Sequence, residues 1–117
     1  MSKNRKEEVL RGREAYKARL ASGQHVKFRE KGNSMVPKIY SNQECEYAPV
    51  TDADQVQKGD IVWCKVRGSH FTHLVTGKKQ EGGRWLFQIS NNKGHVNGWV
   101  GIENVFARVV AIEGRPV

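Results

Sequence analysis

A serine and a histidine are the residues of this chain whose types and settings could do covalent chemistry. Ser34 follows Gly32-Asn33 and precedes Pro37 by three positions. Glycine and asparagine tolerate positive φ, and proline cannot continue a helix or a central strand, so Ser34 is expected on a rigid, exposed bend. A hydroxyl in that setting is a weak nucleophile and needs a base within hydrogen-bond reach. Segment 32–39 is also ordinary loop composition, and taken alone it favours a plain loop.

His73 is the best candidate for that base. The unperturbed pKa of histidine is about 6.5, so its neutral ring accepts a proton at neutral pH, whereas a lysine would first have to be buried. His73 lies in a β-prone stretch, where it would share one strand face with Phe71 and Val75. A histidine on such an apolar face is more often a hydrogen-bonded core residue than a catalyst, and that alternative stays open.

Five segments of the chain, in order, resemble the catalytic domain of the LexA-like and signal-peptidase-like serine peptidases. They are the Ser-Met segment 32–37, the Gly-Asp-Ile-Val run 59–62, the stretch 71–75, and two closing strands at 87–92 and 107–112. The resemblance implies that Ser34 is the nucleophile, with Asn33 and Met35 as supporting residues. It also implies that His73 is the general base, a position that holds lysine in LexA and histidine in the archaeal and endoplasmic-reticulum signal peptidases.

The loop after the base departs from the pattern of the resembled family. The signal peptidases that use histidine orient it with an aspartate, but residues 90–98 contain no acidic residue. Asn91 or Asn97 is expected to hold the ring instead, although an amide cannot stabilise an imidazolium as a carboxylate does. In a serine protease triad, replacing the Asp by Asn lowers turnover by about 10⁴-fold. The resemblance therefore implies slow chemistry, such as one self-cleavage or limited processing, or none.

The two cysteines provide an alternative candidate nucleophile and bear on the redox compartment of the protein. Cys45 and Cys64 are too few for a disulfide framework, and a buried free thiol is the commoner outcome. If residues 68–69 form a two-residue hairpin turn, Cys64 lies opposite His73 and becomes a candidate activated thiol. A reducing, cytoplasmic setting is expected. No Cys/His spacing is that of a zinc site, and neither a metal nor a cofactor is expected.

Short β-prone segments recur from residue 25 onward, separated by glycine and asparagine turn signals. The expected strands are 25–29, 44–50, 61–66, 71–76, 85–89, 99–100 and 107–113. Residues 25–117 are therefore predicted to form one all-β domain with a coiled or barrel-like sheet. The resemblance implies that this domain has the LexA/signal-peptidase-like fold.

The segment 1–24 is predicted to form a short basic helix, with Asn4 as its cap and an apolar stripe that ends at Tyr16 and Leu20. The formal net charge of the chain is +8, and residues 1–32 carry +6 of it, with ten basic and four acidic residues. One alternative is that this segment is a basic arm for nucleic acid or another acidic partner, with binding that weakens steeply with salt. A helix-turn-helix needs more chain, so a complete LexA-type repressor is not expected.

Together these features predict a soluble, cytoplasmic peptidase-like protein of phage or prophage type that acts on a peptide or protein through Ser34 and His73. Apolar runs extend for three or four residues at most, so neither a membrane span nor a signal peptide is expected. The alternative is a non-catalytic phage or prophage module with the same fold that binds a host protein or a nucleic-acid complex.

Overall fold

The structure is a computed structural model that describes residues 12–117. It confirms the predicted all-β class with one helix at the N-terminal side, and none of its described helices is long and apolar enough to cross a membrane. Eight strands and two single 3₁₀ turns follow the helix. The elements are α1 (Gly12–Ala21), β1 (Val26–Arg29), β2 (Glu44–Pro49), η1 (Ala53–Gln55), β3 (Ile61–Val66), β4 (Ser69–Glu81), β5 (Arg84–Ser90), β6 (Val96–Gly101), η2 (Ile102–Asn104), β7 (Val105–Ile112) and β8 (Arg115–Pro116).

The strands form one antiparallel sheet in the order β1-β2-β7-β3-β4-β5-β6, with β8 paired to β7. Register shifts interrupt the pairings β2–β7, β3–β7, β4–β5 and β5–β6. Such bulges bend a strand and increase its local twist. The sheet therefore curls, and strands that are not hydrogen-bonded neighbours can bring side chains together.

Strand β3 is buried on both faces and separates two hydrophobic cores. Ile61 and Trp63 point into the first core, whereas Val62, Cys64 and Val66 point into the second. Burial of a large apolar side chain contributes about 1.5–3 kcal/mol, so this strand is a main source of stability. Burial on both sides also explains its nearly continuous apolar sequence, from which the strand was predicted with its observed bounds.

Helix α1 covers the first core with its last turns. Leu20 is buried in that core, and the ring of Tyr16 stacks on Phe28 with 4.6 Å between centroids. Tyr16 also meets Trp63 edge-on at 6.3 Å. The predicted apolar stripe therefore packs on the sheet where the structure describes it. The beginning of the predicted helix, with Asn4, Val9 and Leu10, lies outside the described residues.

The hairpin between β3 and β4 turns at residues 67–68, and the predicted turn at 68–69 is wrong. Both residues of the observed turn have positive φ, 50° and 85°, the geometry that matches the twist of a two-residue hairpin. Cys64 consequently lies opposite Phe71 and not opposite His73. Because the pairing differs by two residues, an even number, each side chain keeps the face that the alternation predicts.

Two strands, β4 and β6, extend well beyond their predicted bounds. Strand β4 continues to Glu81, beyond the predicted end at residue 76. Its second half is polar and lacks an apolar strand pattern, but it is held in the sheet by pairing with β5. Strand β6 begins at Val96, three residues before the predicted start at residue 99. The Asn97-Gly98 pair has the composition of a turn but lies in a bulged strand, which favours the same residue types.

Candidate active site

Ser34 lies on a tight turn in the loop that joins β1 to β2. The N–H of Val36 donates to the carbonyl of Asn33 over 3.3 Å, and the N–H of Ile39 donates to the carbonyl of Met35 over 3.0 Å. Met35 is buried in the first core, whereas Asn33 is exposed. The loop is thus anchored by the residue after the serine, and Ser34 itself is half-buried rather than fully exposed.

The hydroxyl of Ser34 and the ring of His73 are within hydrogen-bond distance, with 3.0 Å between Oγ and Nε2. The other ring nitrogen, Nδ1, lies 2.7 Å from Oδ1 of Asn97. An amide oxygen only accepts, so Nδ1 carries the proton and Nε2 offers its lone pair to the serine. His73 is 5% exposed and stacks on Phe71 with 4.5 Å between ring centroids. The ring is therefore held on three sides in the tautomer that a general base needs.

A β-bulge in β6 positions the amide that holds this ring. Ile89 pairs with Gly98, and Ser90 pairs with Val96, so Asn97 is the extra residue between two pairs. An extra residue locally interrupts the alternation of side chains and can redirect one of them. Through this bulge and the curl of the sheet, an amide two strands away from β4 reaches the histidine.

Burial lowers the pKa of His73 below 6.5, because the charged ring loses its hydration. The hydrogen bond to Asn97 raises this pKa, and the charge of His95 lowers it, but both effects are smaller than the effect of burial. The ring is therefore neutral at pH 7 and able to accept a proton. Within residues 12–117 no carboxylate is hydrogen-bonded to it, so the protonated ring has no directly bound counter-charge.

Asn92 fixes the serine loop, a role that the sequence did not indicate. Its N–H donates to the carbonyl of Ser34 over 2.9 Å, and its side-chain Nδ2 donates to the carbonyl of Val36 over 3.1 Å. The segment that carries Asn92 leads directly into the bulge of Asn97. One stretch of chain therefore fixes both the loop of the serine and the ring of the histidine.

Among the described residues Asn91 makes no hydrogen bond to His73, so of the two predicted supports only Asn97 holds the ring. The side-chain oxygen of Asn91 accepts hydrogen bonds from the N–H groups of Lys93 and His95, over 2.8 and 2.9 Å. Its own N–H donates to the carbonyl of His95 over 2.9 Å. Asn91 therefore folds the β5–β6 loop, the usual role of asparagine in a polar turn.

A cleft of about 120 Å³ opens beside Ser34 and His73. Its walls come from the serine loop and from the first half of β4. The lining residues are Glu30, Lys31, Gly32, Ser34, Met35, Ile39, Tyr40, Gln43, Cys45, Tyr47, His70, Phe71, Thr72 and His73. Tyr47 is buried here and hydrogen-bonded to Thr72 over 2.9 Å, which closes the floor of the cleft with a satisfied polar pair.

One edge of β4 is open beside this cleft. Residues 69–74 of β4 pair with β3, but the pairing with β5 begins at Leu74. On the β5 side, the segment 69–73 thus has no partner strand among the residues that the structure describes. An unpaired strand edge can accept an extended peptide through main-chain hydrogen bonds.

Cys64 is not an activated thiol, so the rival site is not formed. It is fully buried, and burial raises its pKa to about 12, which disfavours the reactive thiolate. Its Sγ lies 3.7 Å from the carbonyl of Phe71. Burial likewise raises the pKa of Cys45 to about 11. Over the described range no group of three His, Cys, Asp or Glu residues is placed to hold a metal ion.

No protein-family model matches the chain, and no curated protein or solved structure matches it. Function is therefore inferred from the geometry of the site.

Proposed function

We propose that this protein is a serine-peptidase-like hydrolase of low turnover, with Ser34 as nucleophile and His73 as general base, on a fold of the LexA/signal-peptidase type. The observation that carries the proposal is the hydrogen-bonded row Ser34–His73–Asn97, with distances of 3.0 and 2.7 Å. A nucleophile, a base and a group that orients the base are the recurring parts of nucleophilic catalysis by serine.

The chemistry that fits this row is acyl transfer. As Oγ of Ser34 bonds to the peptide carbonyl carbon, its proton passes to Nε2 of His73, and the carbonyl oxygen becomes an oxyanion. The protonated ring then gives that proton to the leaving amine as the carbon–nitrogen bond breaks. Water hydrolyses the resulting ester by the same route in reverse, with His73 again as base. Within residues 12–117 the N–H of Ser34 donates no hydrogen bond, which leaves it available to the oxyanion.

The open edge of β4 supports a peptide as the substrate. A chain paired with segment 69–73 would run along the cleft wall that carries His73. Pairing through the main chain places little demand on the substrate side chains, whereas the narrow cleft restricts the residue next to the scissile bond. We therefore propose an extended, locally unfolded peptide segment, from this chain or from another protein, as the substrate.

The neutral orienting group supports slow rather than rapid turnover. Asn97 sets the tautomer and the direction of the ring, but it adds no charge to stabilise the imidazolium that forms as Ser34 attacks. The lack of a negative charge on the group that orients His73 also favours the second candidate. This candidate is a non-catalytic module of the same fold that binds a protein through the open β4 edge.

Labelling with a fluorophosphonate probe tests the proposal and separates the two candidates. We expect the intact protein to be labelled once, at Ser34, and Ser34→Ala to abolish labelling while the protein remains folded. Ser22→Ala is the matched control, since Ser22 is exposed just after α1 and its hydroxyl donates to the carbonyl of Arg19. Absence of labelling of the wild type between pH 6 and pH 9, or labelling that survives Ser34→Ala, would remove the peptidase proposal in favour of the binding module.

A further inference from the structure

Trp99 is a large aromatic residue on the surface of the domain, on β6 two residues after Asn97. It is 39% exposed. Its neighbour Val100 and the paired Phe87 point into the second core, so Trp99 and its own partner Gln88 lie on the opposite face of the sheet. Tryptophan is enriched at binding interfaces, where its ring buries a large apolar area.

The sheet is shaped to hold this indole in place. Gln88 pairs with Gly77 of β4, so Gly77 lies in the same row as Trp99, two strands away. A Cβ on Gly77 would lie 2.9 Å from Cη2 of the indole, closer than real Cβ atoms approach. Glycine at this point therefore lets the ring lie across β5 and onto β4, where it is fixed before any partner arrives.

The surroundings of the indole are cationic. Nζ of Lys79 lies 4.3 Å from its ring centroid, and a groove of about 310 Å³ beside it is lined by Lys65, Arg67 and Arg84. Glu103 also lines this groove, and it forms an ion pair with Arg84 over 2.7 Å.

Glu81, the other acid of this region, lies 3.6 Å from Lys79. Lys65 and Arg67 are exposed, and neither has an acidic ion-pair partner within the described part of the chain. The groove therefore presents two uncompensated cations next to an aromatic plate.

We infer that this groove, defined by Trp99, Lys65 and Arg67, binds single-stranded nucleic acid together with Lys79, which lies over the indole. A base would stack on the indole in place of the Lys79 ammonium, which is exposed and lies over the ring. Lys79, Lys65 and Arg67 would then neutralise the flanking phosphates. This combination of stacking platform and basic groove is how proteins hold single strands without reading their sequence. A paired duplex keeps its bases stacked on each other and could not use the indole in this way. The proposed site does not depend on the Ser34 chemistry, and none of its named residues belongs to the basic segment 1–24.

The test is the anisotropy of a fluorescein-labelled oligothymidylate of about fifteen nucleotides, titrated with the full chain at low and at physiological salt. We expect Trp99→Ala to weaken binding by about 5- to 150-fold, the loss that corresponds to one stacked base, and Trp99→Phe to retain most of the affinity. Arg67→Gln and Lys65→Gln should each lower the slope of log affinity against log salt by about 0.7.

Two matched controls place the effect at this groove. Tyr40→Ala removes an aromatic that is 51% exposed but lies in the serine loop, and Lys27→Gln removes an exposed cation on β1. Neither should change binding at low salt by more than about twofold. Thermal midpoints of all variants show that each is folded, and Trp99→Phe serves as the second test of the platform should Trp99→Ala be unstable.

Three results would each overturn the inference. The first is no binding of the oligonucleotide by the wild type at low salt. The second is binding that is unchanged by Trp99→Ala but lost when the cations among residues 1–11 are replaced by glutamine, which would assign nucleic acid to the N-terminal segment alone. The third is equal, Trp99-dependent binding of a labelled poly-glutamate peptide, which would assign the groove to an acidic protein.

Discussion

Asn97 accepts a hydrogen bond from the ring of His73 over 2.7 Å, although the two residues lie on strands that are not neighbours in the sheet. This contact decides the chemical state of the candidate base, because it places the proton on Nδ1 and leaves Nε2 for Ser34. It orients the ring as a triad aspartate does, but it supplies no negative charge. The strongest tests of the proposed function change this one pair.

Replacing Asn97 by Asp should make the site faster. A carboxylate would keep the same acceptor on Nδ1 and add a charge that stabilises the imidazolium, so the probe should react with Ser34 about tenfold faster or more at pH 8. The pH midpoint of labelling should also move upward by about one pH unit, because a nearby negative charge raises the pKa of His73. Asn97→Ala, which removes the acceptor, should slow labelling. Equal rates in all three proteins would show that the amide has no part in the reaction.

The pH dependence of labelling should follow the deprotonation of His73. Because burial lowers the pKa of this ring, the wild-type rate should rise with a midpoint below pH 6.5 and be flat between pH 7 and pH 8. The same lowered pKa has a consequence for stability. The unfolded chain takes up the proton first, so the contribution of the neutral ring is complete above about pH 6.5 and is lost as the pH falls towards the folded pKa.

His73→Gln is the control for both effects. It should abolish labelling, flatten this part of the stability profile, and lower the free energy of unfolding by about 1–3 kcal/mol through imperfect hydrogen bonding of a buried group. Urea titrations at pH 5, 6 and 7 measure the second effect. A labelling midpoint well above pH 7 in the wild type would contradict the buried, neutral ring.

Asn92→Ala should slow the reaction more than it destabilises the fold. The substitution leaves the main-chain bond to Ser34 and removes only the Nδ2 bond to Val36, at a cost of about 1 kcal/mol. A serine loop that moves by a fraction of an ångström can lose about 10- to 100-fold in rate. Asn33→Ala is the control, since Asn33 is exposed and its side chain makes no hydrogen bond in the described structure. If both variants slow labelling equally, Asn92 has no special positioning role.

Helix α1 should contribute to the stability of the sheet domain. Leu20→Ala should lower the free energy of unfolding by about 2–5 kcal/mol, because it opens a cavity in the first core. Arg19→Ala, on the exposed side of the same turn, should change it by less than about 0.5 kcal/mol. Urea denaturation measures the stability of these variants. The same measurement on a chain that lacks residues 1–22 checks the predicted domain boundary at residue 24. A truncated chain with wild-type stability would show that 25–117 folds independently.

The cysteines should be inert in the folded protein. With a pKa of about 12 and no exposed surface, Cys64 should not react with iodoacetamide at pH 8 over hours, and Cys45 should behave in the same way. Both should react fully in concentrated urea. Mass spectrometry of the alkylated protein measures this directly. Rapid alkylation of Cys64 in the native state would restore the thiol as a rival to Ser34.

The local chemistry of the sequence determined most of the strands. The run Ile61–Val66 is nearly continuous in β-prone apolar residues, and its strand has the predicted bounds. The alternation around His73 also fixed its face of β4, because the observed β3–β4 pairing differs from the predicted pairing by two residues, an even number. Ser34 and His73 were predicted from their chemistry and setting and from a resemblance, and the distance of 3.0 Å between Ser34 Oγ and His73 Nε2 is a fact of the structure alone.

Only the tertiary structure decided which groups surround that pair. Asn97 and Asn91 have the same side chain and lie in the same polar stretch, so nothing local distinguishes the residue that holds the histidine from the one that folds the loop. The difference arises from the bulge in β6, which exists only through pairing with β5, and from the curl of the sheet. Asn92 meets the serine loop 58 positions earlier in the chain for the same reason. Periodicity reports the face of a strand, whereas contacts between distant strands depend on register and twist, which the whole sheet sets together.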